Sequence, residues 1–508
     1  MGSDCGGERV TVCAAKSKWV LTGVLVAVSG CAVGPNFKQP DTRMPSNWKA
    51  ESFKTVAESQ TVPDAPDVEW WNVFHDPELV SLEKRLASRN LDVQKAAAQL
   101  AESRAQLRMA GAERFPALSA TGSYARYQAS SRMLQRIVHN IGRSTGGPIG
   151  EQLEAAGSDA TIPLLDRWRD GVDATWELDL WGRVRRQYEA AQAYMDQSRE
   201  EERGLLIARE GDLARDYMTL RGSQEDLRVL KANREDAARM LELTSARYRS
   251  GLVSETDVEE ARSQLESIDA QIPQLEKQIT LQINAISLLM GEPPGSLTAE
   301  LTTLMRIPPV PPRVPVGVPS ELAERRPDIR AASASLHAAT AEVGQAIADF
   351  YPRVTIDASF GMQSFSFRDL GFWNARAWNV GPTISIPIFQ GGRLTGQLEL
   401  KKSSQKAAAI EYRKTVLSAW KDVDDALTSF GADQTRRDAL VQQVETNRRA
   451  YVLASERYRH GMTAFLSVLD AERRVLQSEL DLADMTTGVS SDVVRLYGAL
   501  GGGWEVSL

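Results

Sequence analysis

Cys31 is the residue whose type and setting most directly imply chemistry. It follows Ser29 and Gly30 at the end of an apolar run of ten residues, 19–28, which the basic residues Arg9 and Lys16 precede. A run of this length is typical of a secretory signal and is too short to span a bilayer, for which about twenty residues are needed. A lipoprotein site requires a cysteine here, because its thiol is the nucleophile that receives the diacylglyceryl group. An ordinary signal peptide with a chance cysteine is the alternative.

The cysteine count favours acylation. The chain has three cysteines, and Cys5 and Cys13 would leave with the signal segment. A secreted chain with one remaining thiol cannot form an internal disulfide. The sequence therefore predicts a signal peptide over 1–30, a diacylglyceryl and N-acyl lipid on Cys31, and no other cofactor.

No pattern of catalytic or metal-binding residues accompanies this thiol. The four histidines lie far apart in the chain and form no HExxH motif, and we find no GxSxG elbow, Walker-type phosphate loop or dinucleotide fingerprint. The formal net charge is -7, without a block rich in Lys and Arg, which argues against a nucleic-acid partner. We therefore predict that the protein is not an enzyme and that it holds no metal.

The elements that carry these residues are organised by an internal repeat. The segment Arg247-Tyr248-Arg249 with Gly251 returns as Arg457-Tyr458-Arg459 with Gly461, 210 positions later, whereas Phe115-Pro116 returns as Tyr351-Pro352 at an offset of 236. The change of offset places about 26 extra residues between Tyr127 and Asp170, in a long first hairpin loop. Repetition at a fixed offset indicates two copies of one structural unit.

Each copy is predicted to contain one helix, two strands and two further helices. Apolar and polar residues alternate through 354–363, 380–388 and 172–180, and more weakly after Pro116. Aromatic residues lie near the strand ends: Trp176, Trp181, Trp373, Trp378 and Phe389. Strands of about ten residues with such aromatic girdles are typical of membrane-spanning β-sheet, and two amphipathic hairpins on a soluble core are the alternative.

Four strands are too few to close a barrel, since the smallest have about eight. An open sheet edge in lipid would leave backbone groups unpaired. We therefore expect a homotrimer, in which three chains supply twelve strands.

The helices are expected to be unusually long. Residues 183–249 contain no proline and would span about 100 Å at 1.5 Å per residue. Apolar residues recur along them at coiled-coil spacing. The fold class predicted is α+β, mostly helical: a trimeric transmembrane β-barrel continued by a long periplasmic α-helical barrel.

The domain boundaries follow from these elements. We predict a lipid-anchored segment over 31–77, a first repeat over 78–291, a proline-rich linker over 292–325, a second repeat over 326–501 and a C-terminal tail over 502–508. The linker contains eight prolines before position 320, which excludes a long helix and leaves a flexible connection or an outer strap.

Several motifs in the same order resemble the outer-membrane efflux protein family, the TolC-like trimers, in the lipoprotein branch typified by OprM and NodT. They are Cys31-Ala-Val-Gly-Pro-Asn-Phe-Lys-Gln-Pro40, Glu324-Arg-Arg-Pro-Asp-Ile-Arg330, Ser385-Ile-Pro-Ile-Phe-Gln-Gly-Gly392, Gly251-Leu-Val-Ser-Glu-Thr-Asp257 and Leu466-Ser-Val-Leu-Asp470. The resemblance covers nearly the whole chain. It implies an exit duct in the cell outer membrane that extends into the periplasm and exports drugs or toxic small molecules.

The resemblance also implies partners: outer-membrane lipid, a periplasmic membrane-fusion adaptor and an inner-membrane pump, usually of the proton-driven resistance-nodulation-division (RND) kind. A duct for type I protein secretion and a non-channel periplasmic scaffold lipoprotein are the alternatives.

Site residues follow from the resemblance as well. It implies a periplasmic gate formed by Leu466 and Asp470, one helical turn apart, with Arg473 as a partner for Asp470. The tips of the two long hairpins would contact the adaptor through Arg247, Gly251, Leu252, Asp257, Arg457 and Gly461. The alternatives are a solvated charge at Asp470, and glycines that only end their helices.

Overall fold

The computed structural model of the chain describes residues 32–41, 48, 60–62, 64, 68–128, 130–158, 164–317 and 322–502. The signal segment, Cys31 and most of the predicted tail lie outside these ranges. The described part is mostly helical with few strands, so the α+β class and the internal repeat are confirmed. In each repeat a helix leads into two strands and then two long helices. No helix in the described ranges is long and apolar enough to cross a membrane.

The bounds of the helices are as follows: α1 Pro77–Arg89, α2 Leu91–Ala112, α3 Ser131–Thr145, α4 Gly147–Ser158, α5 Arg183–Arg249, α6 Glu255–Leu289, α7 Thr298–Leu301, α8 Leu322–Arg325, α9 Pro327–Ala348, α10 Arg393–Arg459 and α11 Phe465–Leu500. The strands are β1 Gln60–Val62, β2 Ala117–Tyr127, β3 Leu165–Leu178, β4 Arg313–Pro315, β5 Arg353–Ser364 and β6 Arg376–Ser385. Short 3₁₀ turns cover Trp70–Phe74, Phe367–Asp369 and Trp373–Ala375.

Local sequence explains where the helices begin. Asp76 precedes α1 and its carboxylate accepts hydrogen bonds from the backbone N–H groups of Glu78 and Leu79, at 2.9 and 3.1 Å. Such an N-cap satisfies donors that the helix itself cannot pair. Pro327 occupies the first position of α9, as predicted, because its fixed φ suits a first helical turn and its missing N–H costs nothing there.

The chain comprises two compact units. Within the described ranges, one consists of residues 32–37, Gln106–Ala191 and Ala339–Ser404, and it contains a four-stranded antiparallel sheet in the order β2-β3-β5-β6. Strand β3 pairs with β5, so the sheet joins the hairpin of the first repeat to that of the second. Strands β2 and β6 form the two edges of this sheet.

Two strand boundaries differ from the sequence prediction. Strand β3 begins at Leu165 and not at Val172, since its first residues pair with the end of β2, where Leu165 lies opposite Tyr127. The predicted loop after Tyr127 is therefore shorter and contains α3 and α4. Strand β6 ends at Ser385, before Ile386 and Ile388; Pro387, which has no N–H for a ladder, accounts for this end.

The other unit consists of the described residues within Lys38–Ala105, Gln192–Ala338 and 405–502, and it is built from the long helices. Its main core lies where the 3₁₀ turn meets the end of α11, and the Trp70 ring stacks on Tyr497 at 5.7 Å between centroids. The predicted seam of α5 is buried there: Leu213, Tyr217 and Leu220 are each 0% exposed. Two smaller apolar clusters follow further along the helices.

The proline-rich linker packs against these helices. Strand β4 pairs with β1 in parallel, and Leu301 and Val314 are completely buried. Linker carbonyl groups accept hydrogen bonds from helix side chains: Leu301 O from Gln224 at 2.7 Å and Pro308 O from Ser490 at 3.0 Å. These bonds hold the linker along the helices, since its prolines leave carbonyl groups without helical partners.

Candidate functional site: sheet faces and helical tips

The two faces of the four-stranded sheet differ in chemistry. One face carries large apolar side chains that are at least half exposed, among them Leu118, Phe360, Trp378, Val380 and Ile384. The registers place hydroxyl, carboxylate and glycine positions on the opposite face. Since side chains alternate along a strand, this division is a property of the whole sheet.

The polar face is bound together by carboxylates. Asp357 on β5 accepts hydrogen bonds from Thr175 on β3 at 3.1 Å and from Thr383 on β6 at 2.9 Å. Asp173 on β3 accepts one from Thr121 on β2 at 2.6 Å and pairs with Arg169 at 2.8 Å. The polar side chains thus link all four strands on a face of the kind that a hydrated space requires.

The residues after Cys31 are fixed at one end of this sheet. The backbone N–H of Val33 donates to Trp181 O at 3.0 Å, and Arg186 on α5 donates to the Asn36 side chain at 2.7 Å. Gly34 crosses Gly344 of α9 so closely that a Cβ on Gly34 would lie 2.5 Å from the Gly344 Cα. Cys31 itself is outside the described residues, but the chain that follows it is held beside the point where β3 leads into α5.

The two long hairpins turn with the same backbone geometry. Gly251 and Gly461 both have φ of 73°, a left-handed conformation that favours glycine. After α5, the N–H of Gly251 donates to Tyr248 O at 2.8 Å and that of Leu252 to Arg247 O at 2.9 Å; after α10 the equivalent bonds measure 2.9 and 2.8 Å. These are the paired bonds of a glycine-ended helix, as the repeat predicted.

The helices that follow these turns begin differently. Ser254 caps α6 and forms a reciprocal pair with Asp257: the Asp257 N–H donates to the Ser254 hydroxyl at 3.3 Å, and the Ser254 N–H donates to the Asp257 carboxylate at 3.1 Å. Ala464 precedes α11 and offers no capping side chain. Asp257, predicted to contact an adaptor, is therefore engaged in a capping box.

The predicted gate residues lie in the first three turns of α11. Leu466 is 61% exposed, and Asp470 lies on the same exposed face, while Phe465, Val468 and Leu469 point into a buried cluster on the opposite side. The predicted pairing of Asp470 with Arg473 is wrong. Its carboxylate pairs with Arg474 at 2.7 Å, one residue beyond Arg473. Positions i+3 and i+4 both face residue i on a helix, and the sequence cannot choose between them.

Arg473 binds elsewhere. Its Nε donates to the Gln264 side chain of α6 at 2.9 Å, which links α11 to α6, the second helices of the two hairpins. Gln264 is itself buried. Arg473 therefore stabilises the contact between α11 and α6.

The predicted adaptor residue Arg247 is occupied within the chain. Its guanidinium lies over the Tyr458 ring at 4.6 Å and donates to Tyr458 O, and to Arg459 O at 3.2 Å. It thereby joins the end of α5 to the end of α10. Leu252 and its repeat equivalent Met462 remain exposed at the two turns.

Glu472 is a residue that sequence reasoning missed. It is 3% exposed, its Oε1 has no hydrogen-bond partner among the described residues, and it lies in the buried row of α11 between Val468 and Val475. Burial, with Asp236 nearby, raises the pKa of its carboxyl to about 7, which Arg473 partly offsets. A glutamate inside an apolar seam was the signal that could have found it.

Within the described ranges, no group of three or more metal-ligating side chains occurs. The buried contacts described above join helices and strands to one another, and we assign no cofactor pocket.

Comparison with known proteins identifies the family to which this architecture belongs. The sequence model described as "Outer membrane efflux protein" matches residues 82–292 and 318–502. The solvent efflux pump outer membrane protein SrpC of Pseudomonas putida is 30% identical over 491 residues, which cover 95% of this chain and 97% of that protein. Nodulation protein T of Rhizobium leguminosarum bv. viciae is 29% identical over 477 residues, 94% of this chain and 92% of that protein.

Solved structures agree. The outer-membrane channel OprN superposes with a TM-score of 0.83 and 32% identity, covering 93% of this chain and all of that one. The open state of the MtrE outer membrane channel of Neisseria gonorrhoeae gives 0.78 and 25%, with 93% and 99% covered. The chain therefore belongs to the outer membrane efflux protein family and serves as an efflux duct at the outer membrane.

Proposed function

We propose that three copies of this chain close their sheets into one twelve-stranded barrel, continued into the periplasm by their helices. The observation that carries this proposal is the open four-stranded sheet, whose large apolar side chains are exposed on one face. Unpaired edge strands β2 and β6 are costly in lipid, where no water can pair their backbone groups. Joining the β6 edge of one chain to the β2 edge of the next removes every edge.

The polar face would then line a passive, hydrated lumen. Asp173, Asp357 and the threonines bonded to them present polar groups there, and the apolar face with Trp378 and Ile384 meets lipid. The duct carries out no catalytic step. Relatives are named for the efflux of solvents, of toluene and of antibiotics, which favours small toxic molecules over secreted polypeptides as cargo.

The chain is anchored by lipid on Cys31. Support comes from the position of the next residues, which the bonds of Val33 and Arg186 hold at the end of the sheet where the helices begin. A diacylglyceryl group and an N-acyl chain attached there would enter the same leaflet that the barrel borders. Two or more acyl chains give stable membrane attachment, which one alone does not.

The periplasmic end binds the partners. The turns carry exposed apolar side chains, Leu252 and Met462. In a trimer six such tips, around Gly251 and Gly461, would surround the opening and dock a membrane-fusion adaptor that links the duct to an RND pump in the inner membrane. Asp257 and Arg247 would support this surface by fixing the turns from within.

Leu466, Asp470 and Arg473 form the gate in this proposal. Three leucines would narrow the opening, and three carboxylates near one axis would attract cations and repel each other, an effect that the Arg474 partners reduce. Arg473 holds α11 against α6 through Gln264 and so sets how far the gate residues extend.

The gate assignment is tested by the double variant Leu466→Ala/Asp470→Ala. We expect a severalfold rise in single-channel conductance in planar bilayers, because both the apolar constriction and the carboxylates are removed. Thr256→Ala/Glu260→Ala changes the equivalent positions of the first repeat and should leave the conductance unchanged. Intact trimers of the Leu466/Asp470 variant with the parent conductance would contradict the gate.

A further inference from the structure

Arg247 and Arg457 are equivalent in the internal repeat but differ in their contacts. The Arg247 side chain reaches from the end of α5 to the end of α10. The Arg457 side chain is exposed, and its guanidinium has no hydrogen-bond, ion-pair or ring partner among the described residues. Both arginines lie two residues before the end of a helix, and the two helices have equal length. Only Arg247 uses its guanidinium for a contact within the chain.

The surfaces that these arginines would cover differ in the same way. Tyr458, under the Arg247 guanidinium, is 2% exposed, while its repeat equivalent Tyr248 is 43% exposed. The carbonyl groups match as well: Tyr458 O accepts from the Gly461 N–H and from Arg247, and Tyr248 O accepts from the Gly251 N–H in an identical turn. One chain thus holds an unused donor and an unused acceptor surface of complementary chemistry.

A guanidinium suits that surface for two reasons. The last carbonyl groups of a helix carry the negative end of its dipole, and an arginine can donate to two of them at once. The exposed tyrosine ring beside them also attracts a cation. Within one chain, Arg457 does not contact the end of α5 with its Tyr248 ring, because the two tips already meet through Arg247.

We propose that Arg457 makes across the boundary between two copies of this chain the contact that Arg247 makes within one. Its guanidinium donates to the carbonyl oxygens of Tyr248 and Arg249 in the neighbouring copy and covers that copy's Tyr248 ring. In a closed ring the internal repeat then gives six similar junctions, three within chains and three between them. This inference rests on the trimer proposed above.

The two kinds of junction are unequal in strength. Within the chain, the Arg459 charge beside Arg247 is met by Glu456 at 2.9 Å. The repeat equivalent of Glu456 is Ala246, so the corresponding Arg249 has no such carboxylate on its own helix and donates to Ser245 O instead. In the junction between chains, the positive charges of Arg457 and of Arg249 in the neighbouring copy lie close together with no carboxylate from the Arg249 helix between them. The junctions between chains are therefore the weaker ones.

Directed cross-linking tests the contact. A chain carrying Arg457→Cys and a differently tagged chain carrying Arg249→Cys are co-expressed, purified in detergent and treated with a short bis-maleimide. We expect a covalent dimer that carries both tags, and none when either variant is expressed alone. Arg449→Cys, about 12 Å further back along the same helix, replaces Arg457→Cys as the matched control and should give no dimer.

The outcomes separate this inference from the proposal beneath it. Trimers by native mass that yield no doubly tagged dimer, or yield as much from Arg449→Cys, would overturn the Arg457 contact and leave the trimer standing. A monomeric protein in the same preparation would overturn the trimer and the contact together.

Discussion

The tips of the first and second repeats share a backbone but not a chemistry. Their turns have the same glycine φ and nearly the same hydrogen bonds. The first tip continues into a polar capping box at Ser254, whereas the second continues into a buried Phe465 and an exposed Leu466. The repeat therefore fixes where the chain turns, and the side chains after the turn decide what each hairpin does.

The second tip also holds more buried structure than the first. Phe465 lies against Tyr458 at 5.6 Å between ring centroids, and both belong to a cluster with Met240 and Ala261. The equivalent of Phe465 in the first repeat is Glu255, which is exposed. A gate formed by the second repeat alone requires the tip of that repeat to be the more rigid one. Substitutions at Phe465, at Glu472 and at the two N-cap residues test this difference between the tips.

Phe465→Ala should have the largest effect. Truncating a buried phenylalanine costs about 3–5 kcal/mol, because apolar contacts are lost and a cavity remains. Hydrogen exchange of the amides around the second tip should accelerate by roughly a hundredfold or more. Glu255→Ala, at the equivalent exposed position, should change exchange at the first tip far less; equal effects at both tips would remove the distinction.

Glu472→Gln should change how stability depends on pH. The folded carboxyl has a pKa of about 7, above the ordinary value of 4.5, because it is buried and lies near Asp236, while Arg473 opposes the shift. Stability from the neutral form is fully present below about pH 4.5 and is lost as the pH rises through 7.

Glutamine keeps the neutral state at every pH. Both proteins should lose stability as the pH rises, because burial also raises the pKa of Glu78, Asp226 and Asp492 to about 7. We expect the variant to lose less than the parent and to exceed it above pH 7 by about 3 kcal/mol. Arg262, the repeat equivalent, is exposed and pairs with Glu259; Arg262→Gln serves as the control and should leave the parent's pH dependence intact. A Glu472→Gln variant that loses as much stability as the parent between pH 4.5 and 8 would contradict the buried-acid assignment.

Exchanging the caps should have the smallest effect. Ser254→Ala removes a capping box and should destabilise the start of α6 by about 1 kcal/mol. Ala464→Ser places a hydroxyl at an extended N-cap position and should stabilise the start of α11 by a similar amount. Local hydrogen exchange measures both changes, and a stabilised α11 that still opens as a gate would show that the cap does not limit gating.

The repeat and the alternation of the strands could be predicted because both depend on local patterns. Gly251, Gly461 and Pro327 need only their own backbone preferences to mark a turn or a helix start. The start of β3 at Leu165 could not be predicted, since charged residues such as Asp166 and Arg167 obscure the alternation of apolar and polar residues. The strand is extended there by its pairing with β2.

The contacts of the tips depend on residues distant in sequence. Nothing around Arg247 indicates that it binds Tyr458, 211 positions away. The partner of Asp470 required a choice between Arg473 and Arg474 that a neighbouring helix decides, because Gln264 takes Arg473. Sequence therefore predicts which residues lie at the tips better than it predicts what they bind.

The equal lengths of α5 and α10 have a consequence for rotation as well as reach. Both helices contain 67 residues and both start shortly after a strand of the same sheet. One residue added to a helix turns everything beyond it by about 100° and advances it by about 1.5 Å. An insertion in α5 or α10 alone would rotate the arginine and the glycine turn at its end away from those of the other helix. The two helices can therefore change length only together.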